Sequence, residues 1–160
     1  MKIGVMSDSH GNRLAIEKAL QYSGPVDMWL HCGDYSQDID FLLQWTSVPT
    51  VAVAGNTDGW TQAKYDEFLE VMGKQIWLTH GHRYHVKQDL TELFYWGAHY
   101  EADLILFGHT HSAFMEKNAG RLYLNPGSVG YPHRGEKASI AVVEIAGNEL
   151  TGKIITFDMP

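Results

Sequence analysis

The chain contains little of several features, and each shortage excludes a class of protein. Cys32 is the single cysteine among 160 residues, so no internal disulfide can form, which fits a reducing compartment. No apolar stretch approaches the roughly 18 residues of a membrane span, and the chain runs from Met1 straight into a predicted strand. We therefore expect a cytoplasmic protein that has no membrane partner.

Positive charge is also scarce. Twelve Lys and Arg residues stand against nineteen Asp and Glu residues, which gives a formal net charge of −7, and the bases are scattered singly. Because proteins that follow a nucleic-acid backbone normally have a basic face, the sequence argues against extended nucleic acid as a partner. Positive charge concentrates only in residues 82–87 and at His133-Arg134, which is enough for a small phosphate ester.

The first third of the sequence alternates between strands and helices. Strands are predicted at Lys2–Met6, at residues 27–31 and at residues 50–54. A helix over residues 13–22 has Asn12 as its N-cap, and a second helix has Ser36 in the same role. The apolar stripe of the second helix is predicted to be Ile39, Leu42 and Leu43. This order implies parallel strands joined by right-handed crossovers.

The remaining sequence mixes strands with one long helix. Strands are predicted at residues 66–71, 75–79, 103–107, 113–116, 121–124, 139–144 and 150–157, and the last four form two hairpins. The clearest amphipathic helix covers residues 86–100. Parallel units followed by hairpins predict two packed sheets with helices outside. Since 160 residues without a linker or repeat are typical of one unit, we expect a single domain over residues 1–160.

Five short polar strings follow or close predicted strands. They are Asp8-Ser9-His10, Gly33-Asp34, Gly55-Asn56, His80-Gly81-His82 and Gly108-His109-Thr110-His111. In an open α/β sheet, ligands gather beyond the carboxyl ends of the strands, so we expect these side chains to converge. Asp8 and His10 lie two residues apart, as do His109 and His111, and extended backbone would turn each pair to one side. The flanking glycines are expected to allow sharp turns.

The donor types favour a pair of divalent transition metals. Mixed nitrogen and oxygen ligands suit Mn, Fe, Co, Ni or Zn better than Mg or Ca. With Asp8, Asp34 and a bridging hydroxide, two dications leave one net positive charge that attracts a phosphate anion, whereas one dication would leave a net negative charge. Asp34 is the natural bridging carboxylate. Two adjacent metals are suited to attack on phosphorus.

Each string taken singly also has an ordinary interpretation, since a lone His-x-His is more often a surface pair and Gly-Asp is an ordinary turn. Three other features stay open. His82 contacts substrate or is a polar loop residue, His133-Arg134 receives phosphate or is solvated, and Trp60 lines the pocket or an oligomer interface. Burial is predicted for His31, Cys32 and most of Trp29, Trp45, Trp77 and Trp96, and solvation for His85 and His99.

Together the strings resemble the motifs of the calcineurin-like metallophosphoesterases. The likeness is greatest to a small single-domain branch that includes bacterial and archaeal phosphodiesterases and the retromer scaffold subunit, and it runs from Asp8 to about Arg134. It implies a four-layer αββα sandwich of two mixed sheets flanked by helices. It also implies that one metal is held by Asp8, His10, Asp34 and His111, and the other by Asp34, Asn56, His80 and His109.

One position departs from the larger family members. They often carry a histidine after the ligand Asn, thought to serve the leaving group, but here Thr57 occupies that place. The general acid is therefore unassigned, with His82 as the candidate. Substrate contacts are expected from Asn56, Thr57, His82, His133 and Arg134.

The expected function is hydrolysis of a small phosphodiester by a hydroxide that bridges two divalent transition metals, with Mn preferred over Ni, Co, Fe or Zn. The alternatives are a phosphomonoesterase or nucleotide pyrophosphatase, and a non-catalytic protein-binding scaffold. A scaffold can lose a ligand without penalty, whereas all seven ligand positions are filled here. The natural substrate, the physiological metal and the oligomeric state, including a homo-oligomer, stay open.

Overall fold

Ten strands and three α-helices make up the protein in this computed structural model, which describes residues 1–159. The strands are β1 (Lys2–Met6), β2 (Met28–His31), β3 (Thr50–Ala52), β4 (Asp66–Val71), β5 (Lys74–Thr79), β6 (Leu104–Leu106), β7 (Ala113–Asn118), β8 (Arg121–Pro126), β9 (Ala138–Ala146) and β10 (Glu149–Phe157). The helices are α1 (Arg13–Ser23), α2 (Asp38–Leu42) and α3 (Thr91–His99), and a short 3₁₀ turn covers His82–Tyr84.

The strands form two mixed sheets of five strands each. The first has the order β10-β9-β1-β2-β3, in which β1, β2 and β3 are parallel and β9 pairs antiparallel with both β1 and β10. The second has the order β4-β5-β6-β8-β7, in which parallel β5, β6 and β8 are flanked by antiparallel β4 and β7. Each sheet therefore contains three parallel strands whose carboxyl ends share one edge.

Three apolar layers hold the sheets and helices together. Because side chains alternate along a strand, Ile3 and Val5 of β1 pack with Ile76 of β5 between the two sheets. Trp29 faces the opposite way and packs with α1 and α2, while Trp77 packs with α3 on the outer face of the second sheet. The arrangement is the four-layer αββα sandwich that the sequence predicts.

Two local features of the first sheet follow from single residues. Asn12 caps α1 as predicted, because its Oδ1 accepts a hydrogen bond from the Ala15 backbone N–H at 3.1 Å. Gly4 in β1 lies under the indole of Trp29, and a Cβ at this position would lie only 2.6 Å from the ring. The buried Trp29 side chain contributes roughly 2–3 kcal/mol of transfer free energy.

The second helix differs from its prediction at both ends. Ser36 does not cap α2, because its Oγ donates a hydrogen bond to Asp58 at 2.8 Å instead. The helix ends at Leu42, so Leu43 and Trp45 do not join its apolar stripe and are 53% and 54% exposed. The predictions of a Ser36 cap and of Leu43 in the apolar stripe are therefore wrong, and Trp45 is the exposed member of the four tryptophans that were expected mostly in the core.

The third helix begins at Thr91, five residues later than predicted. His85 has a left-handed φ of +54°, which a right-handed helix cannot accommodate, and Asp89 accepts a hydrogen bond from the Thr91 N–H at 2.8 Å just before the first helical turn. Among the described residues, no helix is both long and apolar enough to cross a membrane.

Candidate metal centre

The carboxyl ends of the parallel strands from both sheets meet at one edge of the sandwich. The segment after β1 contacts the segment after β2, where the Asp8 N–H donates to the Gly33 carbonyl at 3.0 Å. Two segments of the second sheet reach the same residue. The His109 N–H donates to Asp8 Oδ2 at 3.2 Å, and the Ser128 hydroxyl donates to the Asp8 carbonyl at 2.8 Å. Asp8 therefore lies where the two sheets join.

Four predicted ligands form what we call the first cluster, which consists of Asp8, His10, Asp34 and His111. One nitrogen or oxygen atom from each lies within 4.8 Å of the others. His111 Nε2 is 3.2 Å from Asp8 Oδ1, and His10 Nε2 is 3.6 Å from Asp34 Oδ2. The first cluster therefore directs two carboxylates and two imidazoles at one point.

The second cluster consists of Asp34, Asn56, His80 and His109, and it shares Asp34 with the first. His80 Nε2 lies 3.0 Å from Asn56 Oδ1 and 3.3 Å from Asp34 Oδ1. The ring centroids of His80 and His109 are 5.1 Å apart. The Thr57 N–H donates to Asp34 Oδ1 at 3.0 Å. All seven residues named as metal ligands from the sequence thus lie together in the fold.

Backbone carbonyls determine which nitrogen of two histidines faces the clusters. His80 Nδ1 is 2.7 Å from the Cys32 carbonyl oxygen, and His111 Nδ1 is 2.7 Å from the Tyr131 carbonyl oxygen. A carbonyl oxygen only accepts hydrogen bonds, so each Nδ1 carries a proton and donates it. Each Nε2 is therefore directed at the clusters, in the arrangement that usually supports metal-ligating imidazoles.

Several donor atoms lack the partners that buried polar atoms normally have. Within residues 1–159, Asp8 Oδ1 and His10 Nε2 are buried and have no hydrogen-bond partner, a condition that costs about 1–3 kcal/mol per group. His80 Nε2 faces three oxygen atoms at 3.0, 3.3 and 3.9 Å, which belong to Asn56, Asp34 and Asp8. A divalent transition-metal ion accepts this set of nitrogen and oxygen donors, so the residues present fit such an ion.

Charges within the clusters shift several pKa values. Burial alone would raise the pKa of Asp34, but the hydrogen bond and charge of His80 lower it far below its usual range. For His80 the signs are reversed, because burial lowers its pKa and the neighbouring Asp34 and Asp8 raise it to a greater extent. The adjacent carboxylate of Asp8 raises the pKa of His111. Burial and the charge of His80 lower the pKa of His109 to about 4.

The backbone of the clusters is left-handed at five ligand positions. The φ angles lie between +47° and +69° at Asp8, His10, Asp34, His109 and His111. Side-chain-bearing residues rarely adopt this conformation, which costs on the order of 1 kcal/mol or more at each position. The prediction that extended backbone aligns the two ligand pairs is therefore wrong, since left-handed turns bring them together.

Two of the flanking glycines, Gly55 and Gly108, are needed because other side chains lie very close to their backbone, and not because the chain turns sharply there. A Cβ on Gly55 would collide with the side chain of Asp34, and a Cβ on Gly108 would collide with Ser7 and Asp8. Neither glycine has a positive φ. Both positions allow the chain to pass directly against the buried carboxylates.

Two predicted substrate residues, His82 and Thr57, relate to the clusters in different ways. The ring of His82 is 5.3 Å from that of His80 and 6.0 Å from that of His109. Burial and the charge of His80 lower the pKa of His82, and its Nδ1 is buried without a partner in the described chain. The side chain of Thr57 is exposed, and its backbone N–H holds Asp34.

Of the predicted pair His133-Arg134, His133 lies beside the first cluster and Arg134 does not contact either cluster. The His133 Nε2–H donates to the Thr110 carbonyl at 2.7 Å, and its ring is 5.6 Å from that of His111. Arg134 is exposed, and no hydrogen bond or ion pair within residues 1–159 joins it to either cluster.

The buried neighbours of the clusters match their predictions. His31 is fully buried, with its Nδ1 accepting from the Gly33 N–H at 3.1 Å and its Nε2 donating to Ser9 Oγ at 2.8 Å. Burial raises the pKa of the Cys32 thiol, which makes it unreactive. His85 and His99 are exposed as predicted.

An open cavity of about 400 Å³ leads to the clusters. It is lined by His10, Asp34, Asn56, Thr57, Lys87, His109, His111 and Tyr131. Lys87 and Tyr131 were not singled out from the sequence. Lys87 ends the basic segment 82–87, which pointed to this region without identifying the residue, whereas nothing in the sequence around Tyr131 predicts its position.

The fold and the clusters define a metal-binding α/β sandwich with a solvent-open site at the strand ends. A family model for the calcineurin-like phosphoesterase superfamily domain matches residues 1–148, and the chain belongs to this family. The chain is 32% identical over 153 residues to a probable metallophosphoesterase of Bacillus subtilis, covering 94% of this chain and 88% of the relative. It is 30% identical over 145 residues to a phosphodiesterase of Methanocaldococcus jannaschii, covering 79% and 83%.

Solved structures share the fold. The crystal structure of a predicted phosphoesterase of Streptococcus pneumoniae superposes with a TM-score of 0.82 at 32% identity, covering 97% of this chain and 88% of the other. Vps29 of Entamoeba histolytica, in complex with Zn²⁺, superposes with a TM-score of 0.79 at 23% identity, covering 98% and 92%. Family membership and the clusters together support a metal-dependent phosphoesterase.

Proposed function

We propose that this protein is a phosphodiesterase that hydrolyses a small phosphodiester with two divalent transition-metal ions. The first cluster would hold one ion and the second cluster the other, with Asp34 shared. The mixed nitrogen and oxygen donors suit Mn, Ni, Co, Fe or Zn, and of these we propose Mn. The observation that carries the proposal is the convergence of donor atoms without partners. Asp8 Oδ1 and His10 Nε2 are buried and have no hydrogen-bond partner within residues 1–159, and they lie beside His80 Nε2, which faces only oxygen atoms.

The charge of the clusters supports two ions rather than one. Asp8 and Asp34 together bring two negative charges and a hydroxide a third. Two dications leave a net positive charge for a phosphate anion, whereas one dication leaves a negative charge that repels it. When bound, the ions supply a hydroxide nucleophile at neutral pH and neutralise the phosphoryl oxygens.

The chain's own residues position the donors and attract the substrate. The Thr57 N–H fixes the orientation of the shared Asp34 carboxylate. The carbonyls of Cys32 and Tyr131 fix the imidazoles that face the clusters. Lys87 places a positive charge at the cavity, where it attracts an anionic ester from solution.

Charge and proton supply favour a diester over a monoester. A monoester dianion repels the attacking hydroxide more strongly than the single negative charge of a diester does. The Thr57 hydroxyl cannot donate a proton near neutral pH, so the leaving oxygen departs with most of its charge unless His82 serves as the acid. Aryl diesters, which have good leaving groups, are therefore the expected best substrates.

Metal analysis with a substrate panel tests the proposal. Protein stripped by a chelator should lose activity, regain it with Mn or another of the named ions, and bind about two ions per chain, as a two-metal site requires. Bis(p-nitrophenyl) phosphate should be hydrolysed faster than p-nitrophenyl phosphate or a nucleoside triphosphate. Faster hydrolysis of either of the latter two would identify a phosphomonoesterase or a pyrophosphatase. Metal binding without hydrolysis of any ester would favour a scaffold.

A Thr57→His variant tests the absence of a general acid. The rate of the native protein should depend steeply on the leaving-group pKa across a series of aryl esters, and an imidazole at position 57 should flatten this dependence. Thr57→Ser is the matched control and should keep the native slope. A shallow slope in the native protein would show that another group donates the proton, and His82→Gln would then be the variant to measure.

A further inference from the structure

Trp60 is the most exposed large apolar side chain within residues 1–159, at 89%. It lies on the loop that follows Asn56 of the second cluster. An exposed indole presents a large planar face and an N–H donor that a ligand can contact.

The loop that carries Trp60 is firmly held. Asp58 accepts hydrogen bonds from the Gly55 N–H at 2.7 Å and from the Ser36 N–H and hydroxyl at 2.7 and 2.8 Å. The hydroxyls of Ser36 and Thr61 are 3.1 Å apart on the other side of Trp60. These bonds fix the loop against the segment that follows β2, so the exposure of the indole is a property of an ordered loop.

A groove of about 280 Å³ runs beside Trp60 and adjoins the cavity of the metal centre at Thr57. It is lined by Tyr35, Gln37, Thr57, Asp58, Gly59 and Trp60. Thr57 lines both this groove and the cavity that opens on the clusters, so the two spaces are neighbours. Tyr35 also links them, because its ring centroid is 5.5 Å from that of His10. We call this space the aromatic groove.

We propose that the aromatic groove binds a nucleobase of the substrate, so that the diester is a nucleotide ester. This inference rests on the proposed function, which places the phosphorus at the clusters. Tyr35 and Trp60 offer aromatic surfaces on which a base can stack, and the amide of Gln37 offers a donor and an acceptor to the polar edge of a base. Asp58 already accepts three hydrogen bonds, which reduces its repulsion of an anionic ligand.

The composition of the groove favours a small ligand over a second copy of the chain. A stable protein interface buries about 800 Å² on each partner around an apolar centre. The neighbours of Trp60 in the groove include Gln37, Thr57 and Asp58, which are polar. One tryptophan among them is suited to stacking with a single planar group.

Calorimetric titration of the Mn-loaded protein tests the groove without hydrolysis. Adenosine 5′-monophosphate should bind about tenfold more tightly than ribose 5-phosphate, which is the effect of one aromatic–base stacking contact. Trp60→Ala should remove this difference, and Trp60→Phe should keep most of it. Trp45→Ala, which removes a second exposed tryptophan, should bind both ligands as the native protein does. Equal affinities in the native protein, or a difference that Trp60→Ala leaves intact, would overturn the inference.

Hydrolysis separates a failure of the groove from a failure of the proposed function. Thymidine 5′-(p-nitrophenyl phosphate) and methyl p-nitrophenyl phosphate have the same leaving group, so only the retained group differs. The thymidine ester should have a kcat/KM about tenfold higher, and Trp60→Ala should abolish the advantage. Equal hydrolysis of both esters would overturn nucleobase binding by the groove but would leave the proposed phosphodiesterase activity supported. Base-dependent binding without hydrolysis of either ester would support the groove and overturn the phosphodiesterase.

Sedimentation velocity of the native protein and of Trp60→Ala tests the alternative that a second copy of the chain covers Trp60. The inference requires both proteins to have the same oligomeric state. If the native protein is an oligomer that Trp60→Ala dissociates, while the affinity difference between the two ligands persists, Trp60 belongs to an interface and the inference is overturned.

Discussion

The two clusters share Asp34 but are connected to the rest of the fold in different ways. In the first cluster, the imidazoles of His10 and His111 are 23% and 15% exposed at the cavity. In the second cluster, His80 is fully buried, and both of its ring nitrogens face oxygen atoms of neighbouring segments. The comparison indicates that the first cluster can lose a histidine with little effect on the fold, whereas His80 of the second cluster is part of the structural core.

Removing the shared carboxylate should have the largest effect, because it weakens both clusters at once. In Asp34→Asn, we expect the metal content to fall at both sites and the rate of diester hydrolysis to fall about a thousandfold, equivalent to about 4 kcal/mol of lost transition-state stabilisation. Metal analysis and hydrolysis of bis(p-nitrophenyl) phosphate measure the two effects. Asp40→Asn, at an exposed position in α2, is the matched control. Native metal content in Asp34→Asn would show that this residue bridges nothing.

The stability of the metal-free protein should separate the two clusters. His80→Ala leaves the Cys32 carbonyl without its hydrogen bond and removes the imidazole that lies against the buried carboxylates, so we expect a loss of about 3 kcal/mol in the free energy of unfolding. His10→Ala should cost less than about 1 kcal/mol, because the side chain is partly exposed and its Nε2 has no hydrogen bond to lose. Urea unfolding after chelation measures both. Equal losses in the two variants would remove the distinction between the clusters.

Stability should depend on pH in opposite directions with and without metal. In the metal-free protein, His80 and His111 have raised pKa values. Their protonation therefore stabilises the fold fully below about pH 6.5, and this stabilisation is lost as the pH rises through the folded-state values. Bound metal requires unprotonated Nε2 atoms, so the stabilisation by metal grows over the same range.

Thermal unfolding between about pH 6 and about pH 8.5 checks this prediction, because the range covers the titration of a histidine with a raised pKa. The difference in Tm between metal-loaded and metal-free protein should widen as the pH rises. His109 should add nothing to the slope, since its pKa is lowered to about 4. A Tm difference that is constant across the range would contradict the proton–metal competition.

The smallest expected effect concerns the cavity rather than the clusters. Lys87→Met should lower kcat/KM for an anionic diester about fivefold at low ionic strength, and the effect should shrink in salt, because an exposed charge is screened. Metal content should be unchanged. Lys117→Met, near the far end of β7, is the control and should behave as the native protein does. An effect that is independent of salt would assign Lys87 a role other than charge.

The parts of the fold that the sequence predicts well have local signals. The Asn12 cap and the hairpin of β9 and β10 are determined by residues close to one another in the sequence, and both are observed. The start of α3 was missed because a left-handed residue, His85, interrupts a pattern that is helical in its spacing. Tertiary contacts, rather than local propensity, hold the left-handed ligand positions. For example, Asp8 is bonded to Ser128, 120 residues further along the chain.

The contacts of Asp8 join a segment that is synthesised early to segments that are synthesised late. Asp8, His10 and Asp34 leave the ribosome early, but His111 and the bonds from Ser128 come from the last third of the chain. The amino-terminal half therefore carries five of the seven donors but lacks the later segments that hold them in place. We expect the complete site to form only after the two sheets have closed on one another, because His111 and the bonds to Asp8 come from the carboxyl-terminal half. Metal occupancy thus reports that the whole sandwich is complete.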